Sequence, residues 1–266
     1  MKLPPITAKQ QEILKQLYRY RFITRTQLQA GMGHKDKRRI SAWLKDLREK
    51  QYIEWIYSAD DFVEKSKPAV YYFGLIGIRY LKTLGTYPIE ELRKRYKEST
   101  RKQAFISKCI LIADCCVHLE TRSIEGVRYN SIAEADYTDP ENTFHFLHDL
   151  RPDLYFAKHE TIKHEVVITN YLLEVFDASL PKYMVKKRFK DYTDFLDTGE
   201  WQKHTKYTEP PIVLLAYQTD SELAYAKRRM RILLENVPDE LHSLIRFSTI
   251  EKMKVSGVTG IVWEEI

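Results

Sequence analysis

Glycine is scarce in this 266-residue chain, with nine residues standing singly and none in a G-x-x-x-x-G-K-[ST] arrangement. A loop that cradles phosphates needs clustered glycines to bring several backbone N–H groups onto one anion, so most phosphate-loop and dinucleotide-binding readings are excluded. No G-x-S-x-G occurs either, which removes the serine nucleophile elbow. Cysteine is limited to Cys109, Cys115 and Cys116, an odd number with two adjacent and no C-x-x-C. That pattern excludes a disulfide framework and structural zinc, and suits reduced thiols in a cytoplasmic protein. His145, His148, His159 and His164 lie close in sequence but complete no zinc signature. No uncharged apolar run approaches the roughly 20 residues of a membrane helix, so no membrane partner is expected. Met1 to Pro5 shows no apolar stretch and no small-residue cleavage site, so no secretion signal is expected there.

What is present is enough apolar and aromatic side chain, 44% and 12%, to bury a real core, together with an uneven charge distribution. Residues 1–102 carry 23 Lys and Arg against 11 Asp and Glu, a net +12, while the remainder carries 20 against 26, a net −6. A basic part joined to an acidic one suggests a polyanion-binding module attached to something with another task.

Within the basic part, Thr7 can cap a helix through Tyr20 that lines up Ile13, Leu14 and Leu17. Thr24 can cap a shorter second helix through Leu28, stopping near Gly31 and Gly33. A third helix is expected from Lys35 or Asp36 to Lys50, with Ile40, Trp43, Leu44 and Leu47 on one face. At about 100° per residue, Arg38, Ala42 and Lys45 fall opposite that face. Three such helices make a helix-turn-helix unit. Its third helix enters the major groove by its N-terminal half, which here holds Lys35, Lys37, Arg38, Arg39 and Ser41, with Lys45 beyond. Arginine can chelate guanine, and lysine or serine can hold phosphate. Tyr52 to Tyr57 and Val70 to Phe73 then read as strands of a hairpin, giving the winged-helix order. Lys65, Ser66 and Lys67 sit where a wing meets the DNA backbone, weakened by Asp60, Asp61 and Glu64. A closing helix is expected over Gly77 to Leu84, and a basic linking helix over Tyr87 to Lys102.

From Lys102 the spacing of Phe105, Ile106, Cys109, Ile110, Ile112, Ala113, Cys116 and Val117 predicts a buried helix, its cysteines serving as core filler. Strands are expected at Val127 to Ile132, Leu154 to Phe156, Glu165 to Val175, Pro211 to Tyr217, Ser243 to Phe247 and Gly260 to Trp263. Helices are expected at Lys182 to Leu196 and Ser221 to Asn236. This alternation implies a central mixed sheet flanked by helices.

The phrases "YRYRFITRTQL" (18–28), "WLKDLREKQYIE" (43–54) and "AVYYFGLIGIRYL" (69–81) resemble the N-terminal winged helix of the replication-relaxation proteins of bacterial plasmids and other mobile elements. "RPDLYF" (151–156) and "LLEVFD" (172–177) are similar to that family's "RPD" and "LEVD", and to the core of the PD-(D/E)XK nuclease-like fold. The resemblance implies an α+β protein: a winged-helix DNA-binding domain over 1–85, a basic linking helix over 86–102, and a restriction-endonuclease-like α/β domain over 103–266. It implies double-stranded DNA as partner, no cofactor for binding, and, by analogy with symmetric operator sites, a homodimer. In a nuclease-like core, Asp153 and Glu174 would hold Mg²⁺, with Asp177 as a further ligand. The usual catalytic lysine is missing, because the motif reads Glu174-Val175-Phe176, so Lys186 and Lys187 on the following helix are the candidates to assist water. Asp153 could equally begin a strand, and Glu174 could pair with Lys186 or Arg188. Three readings therefore stay open: a DNA-binding protein acting in replication, relaxation or mobilisation, a Mg²⁺-dependent nicking endonuclease, and an adaptor that recruits a relaxase or replication protein.

Overall fold

The computed structural model describes residues 3–57, 67–139, 141–177, 180–235 and 237–266. The chain divides into two compact units, Met1–Val117 with Thr138–Glu141, and His118–Tyr137 with Asn142–Ile266. Among the described residues no helix is long and apolar enough to cross a membrane.

In the first unit, α1 (Ala8–Tyr20) starts at a reciprocal cap, the Thr7 hydroxyl accepting from the Gln10 N–H and the Gln10 amide accepting from the Thr7 N–H. The same device, with Thr24 and Gln27, starts α2 (Arg25–Gly31). α3 (Lys37–Glu49) begins at Asp36, whose carboxylate accepts from the Arg38 N–H at 2.8 Å. Ile13, Leu14 and Leu17 of α1 and Ile40, Leu44 and Leu47 of α3 are buried. Gln10 adds a polar tie between the two helices, its Nε2 donating to Asp46 at 2.6 Å. β1 (Ile23–Thr24), β2 (Ile53–Ile56) and β3 (Val70–Phe73) form an antiparallel sheet in the order β1-β3-β2. α4 (Leu75–Leu84) starts two residues earlier than the Gly77 expected, because Gly77 lies inside the helix where it meets β2: a Cβ there would stand 2.2 Å from the Tyr52 carbonyl oxygen.

The linking helix is shorter than its charge pattern suggested. α5 covers Ile89–Arg95 and a 3₁₀ turn covers Glu98–Thr100. Part of this charge is folded inward, while Arg93 and Lys97 stay exposed. Arg95 and Glu98 are 2% and 1% exposed, and Glu98 gathers Arg21 (2.9 Å), Arg95 (3.6 Å) and Arg101 (3.5 Å). Arg21 is delivered by a tight turn, with φ of 68° and a Phe22 N–H bonded to the Tyr20 carbonyl at 2.8 Å. α6 (Gln103–Thr121) follows, and Gln27 of α2 donates to its Ile110 carbonyl and Asp114 carboxylate at 2.8 and 2.6 Å.

The second unit is built on a five-stranded mixed sheet in the order β4-β5-β6-β7-β8: Val127–Ala133, Leu154–Ile162, Glu165–Val175, Ile212–Tyr217 and Ile245–Thr249. β4, β5 and β6 run antiparallel, while β6, β7 and β8 are parallel. Parallel pairs need crossovers, supplied here by α7 (Lys182–Asp197) between β6 and β7 and α8 (Asp220–Leu234) between β7 and β8. One face of the sheet, carrying Tyr155, Leu172, Val213, Leu215 and Phe247, shares a core with Phe189 and Tyr192 of α7, Trp201, and Leu223 and Met230 of α8. β5 outruns the expected Leu154 to Phe156, since its polar end pairs in full with β6 as far as Ile162 opposite Glu165. Gly260 to Trp263 forms no strand. That segment turns locally, the Trp263 indole donating to the Val258 carbonyl, and reaches the sheet by a single bridge between Phe247 and Glu264.

Candidate functional site

Two groups of residues carry chemistry, one in each unit. In the first, burial of Ile40, Leu44 and Leu47 leaves the other side of α3 in solvent: Lys37, Arg38, Arg39, Ser41 and Lys45 are all exposed, as is Lys35 just before the helix. The side-chain nitrogens of Lys35, Lys37, Arg38 and Arg39 make no hydrogen bond or ion pair with any described residue. Ser41 donates to the Lys37 carbonyl at 2.9 Å, and Lys45 stands 3.8 Å from Glu49. Helical periodicity therefore gathers one cationic surface with little internal neutralisation. Lys67, just before β3, is exposed, whereas Lys65 and Ser66 lie outside the described residues.

Arg48, on the last turn of α3, lies with its guanidinium carbon 3.4 Å above the Trp55 ring, and Trp55 stacks on Tyr57 at 5.4 Å. The phrase "WIY" (55–57) signals only a strand; the pairing with Arg48 depends on how α3 crosses β2, which no local pattern states.

In the second unit, continuing the β5–β6 register by one residue beyond Leu154 and Leu173 sets Asp153 opposite Glu174. Asp153 accepts the Val175 N–H at 2.7 Å, so it ties the end of β6. Glu174 is 6% exposed and stands on the sheet face shared with α7. Both of its oxygens are engaged: Oε1 accepts from Arg188 Nε at 3.3 Å, and Oε2 from Arg188 Nη2 at 2.5 Å and the Tyr192 hydroxyl at 2.8 Å. Burial alone would lower the Arg188 guanidinium, but the adjacent Glu174 carboxylate outweighs it and holds it above its ordinary value. Burial, then Glu174, pushes the Tyr192 phenol well up, so Tyr192 stays a neutral donor.

The other expected residues stand elsewhere. Lys186 and Lys187 are exposed, and Lys186 lines a hollow with Lys182, Tyr183, Phe189, Tyr225 and Arg229. The bonds to Glu174 come from Arg188 and Tyr192, not from either lysine. Asp177 lines a separate cavity of about 330 Å³ with Phe176, Lys182, Tyr217 and Glu222. His145 and His148 stack at 5.7 Å, and the Nδ1 of His145 is 2.6 Å from the Tyr137 carbonyl oxygen. Among the described residues no group of three or more His, Cys, Asp or Glu is placed to hold a metal. Mg²⁺ demands near-octahedral oxygen coordination and binds through carboxylates with free lone pairs. Here the carboxylate facing the helices is already closed by an arginine and a tyrosine, so this arrangement does not fit a divalent cation. Of the alternatives in the sequence, Glu174 pairs with Arg188 and not with Lys186.

No curated protein and no solved structure matches the chain. A family model described as replication-relaxation matches residues 14–209, which is most of the chain and includes α3, Asp153, Glu174 and Arg188. The protein therefore belongs to the replication-relaxation family.

Proposed function

We propose that this protein binds double-stranded DNA through the N-terminal half of α3, in the replication or relaxation of plasmid or mobile-element DNA. The observation that carries the reading is the exposed set Lys37, Arg38, Arg39, Ser41 and Lys45 on a helix whose opposite side is buried, with Lys35 exposed just before it. Three helices with β1 between the first two, then β2 and β3 completing a small antiparallel sheet, support a winged helix, in which α3 lies in the major groove and the β2–β3 hairpin approaches the backbone. Within the second unit, three antiparallel strands, a crossover helix and a parallel strand support a nuclease-like origin. Origin does not fix activity.

A gel shift with supercoiled plasmid and with short duplexes tests this. The full chain shifts both, and Arg38→Ala with Arg39→Ala weakens the shift while the thermal transition is kept. An unaltered shift in that double variant refutes the assignment to α3. Adding Mg²⁺ to the same incubation separates binding from nicking, with Asp153→Ala as the control.

A further inference from the structure

We propose that Arg188 is the resident cation of the Asp153–Glu174 centre, so that the second unit is completed by an internal guanidinium and works without a metal. Nuclease-like cores leave an acidic pair for a divalent ion. In this chain the positive charge that such a pair requires is already covalently present.

The geometry is that of a built site. The Arg188 side chain is 16% exposed, and its fork is filled from several directions. Glu174 takes two of its bonds, the Leu150 carbonyl a third at 2.7 Å and the Arg151 carbonyl a fourth at 3.3 Å. The Tyr192 oxygen lies at 3.2 Å and an Asp191 oxygen at 3.6 Å. Arginine fits this role because its planar donors match a carboxylate bidentately and leave further N–H groups for carbonyls, whereas lysine offers a point charge.

A second, independent feature points to the same residue. Arg151 has φ of 48° and ψ of 60°, although it precedes Pro152, a position that ordinarily forces an extended backbone. A left-handed, non-glycine residue before proline is strained and persists only where its surroundings over-determine it. The carbonyl of this residue is one of those that Arg188 binds. The bend at Arg151 thus presents the successive carbonyls of Leu150 and Arg151 to Arg188 and lets Asp153 accept from the Val175 N–H of β6. A metal entering here would displace a cation with at least four protein acceptors and leave those carbonyls unsatisfied.

The inference stands whether or not α3 binds DNA. It is tested on the full chain with Mn²⁺ as the probe, by the loss of its free-ion electron paramagnetic signal, together with thermal melting. The wild type is expected to show no saturable Mn²⁺ binding, and melting temperatures that coincide in Mg²⁺ and in chelator. Arg188→Lys, which keeps the charge but loses the fork, is expected to melt about 10 °C lower. Arg188→Ala, if it folds, is expected to gain Mn²⁺ binding that Glu174→Gln removes. Stoichiometric Mn²⁺ binding by the wild type, lost in Glu174→Gln, would overturn the proposal. So would an Arg188→Lys variant that melts with the wild type.

Discussion

Replacing Glu98 by Gln removes the carboxylate that three arginines share and provides the sharpest test of how the first unit is held. Arg21, Arg95 and Arg101 all come within 3.6 Å of the Glu98 carboxylate, and Arg95 is 2% exposed with its Nη2 also donating to the Tyr18 carbonyl at 3.0 Å. Gln keeps the shape and one acceptor but leaves Arg95 as a buried charge facing two others. Burial already pushes the Arg95 guanidinium below its ordinary value, and the neighbouring Arg21 pushes it further; Glu98 acts in the opposite sense. Breaking a buried pair in this way costs about 3–5 kcal/mol. At roughly 4 °C per kcal/mol for a unit of this size, the first thermal transition should fall by about 12–20 °C. Differential scanning calorimetry reads this directly. Pairing Glu98→Gln with Arg95→Met should cost less than the sum of the two single changes, because the orphaned charge is gone. A fall below about 4 °C for Glu98→Gln, or strict additivity in the pair, refutes the view that Glu98 neutralises a buried arginine cluster.

Further predictions concern packing, charge and the second unit. Gly77→Ala forces a methyl group to 2.2 Å from the Tyr52 carbonyl oxygen and should destabilise by about 1–3 kcal/mol in urea melts. Asp46 accepts from Lys50 and Gln10, which hold its carboxyl below the usual value of 3.8; NMR titration should find it low, and Lys50→Met should move it back up. Because that pKa is depressed on folding, its contribution is present above the unfolded value and lost as pH falls through the folded one. Half exposure keeps it small, so Asp46→Asn should cost roughly 0.5 kcal/mol at pH 7 and nothing in strong acid. Tyr192→Phe removes one donor from the buried Glu174 carboxylate and should lower stability by about 1–3 kcal/mol, measured by denaturant melts of the second transition.

Periodicity made much of this fold legible. Capping threonines at 7 and 24, the apolar stripe of α3 and the alternation of strands with helices beyond residue 120 all correspond to observed elements. These features are local, so spacing suffices to place them. Charge density misled over residues 86–102, because a basic segment looks uniformly solvated even where one of its arginines, Arg95, is buried beside Glu98. Gly260 to Trp263 read as a strand from its β-branched and aromatic residues, yet Trp263 turns back onto Val258. At the carboxylate pair, "RPD" and "LEVFD" set Asp153 at the foot of β5 and Glu174 near the end of its neighbour β6. What could not be read was which residue of α7 reaches them: Lys186, Lys187 and Arg188 are consecutive, and the rotation of the helix on the sheet selects the arginine. The Arg48–Trp55 stack was hidden for the same reason, being a contact between elements.

Whether the exposed cations of α3, with Lys35 just before it, meet DNA phosphates is measured most directly by the salt dependence of binding. Five cations, Lys35, Lys37, Arg38, Arg39 and Lys45, at about 0.9 released counterions each, give a slope of about −4.5 in log affinity against log salt. Between 50 and 200 mM salt, affinity for a labelled duplex should fall by on the order of 500-fold in fluorescence anisotropy. Arg38→Ala with Arg39→Ala should flatten the slope by about 2. A slope near zero, or one that the double variant leaves unchanged, contradicts the account.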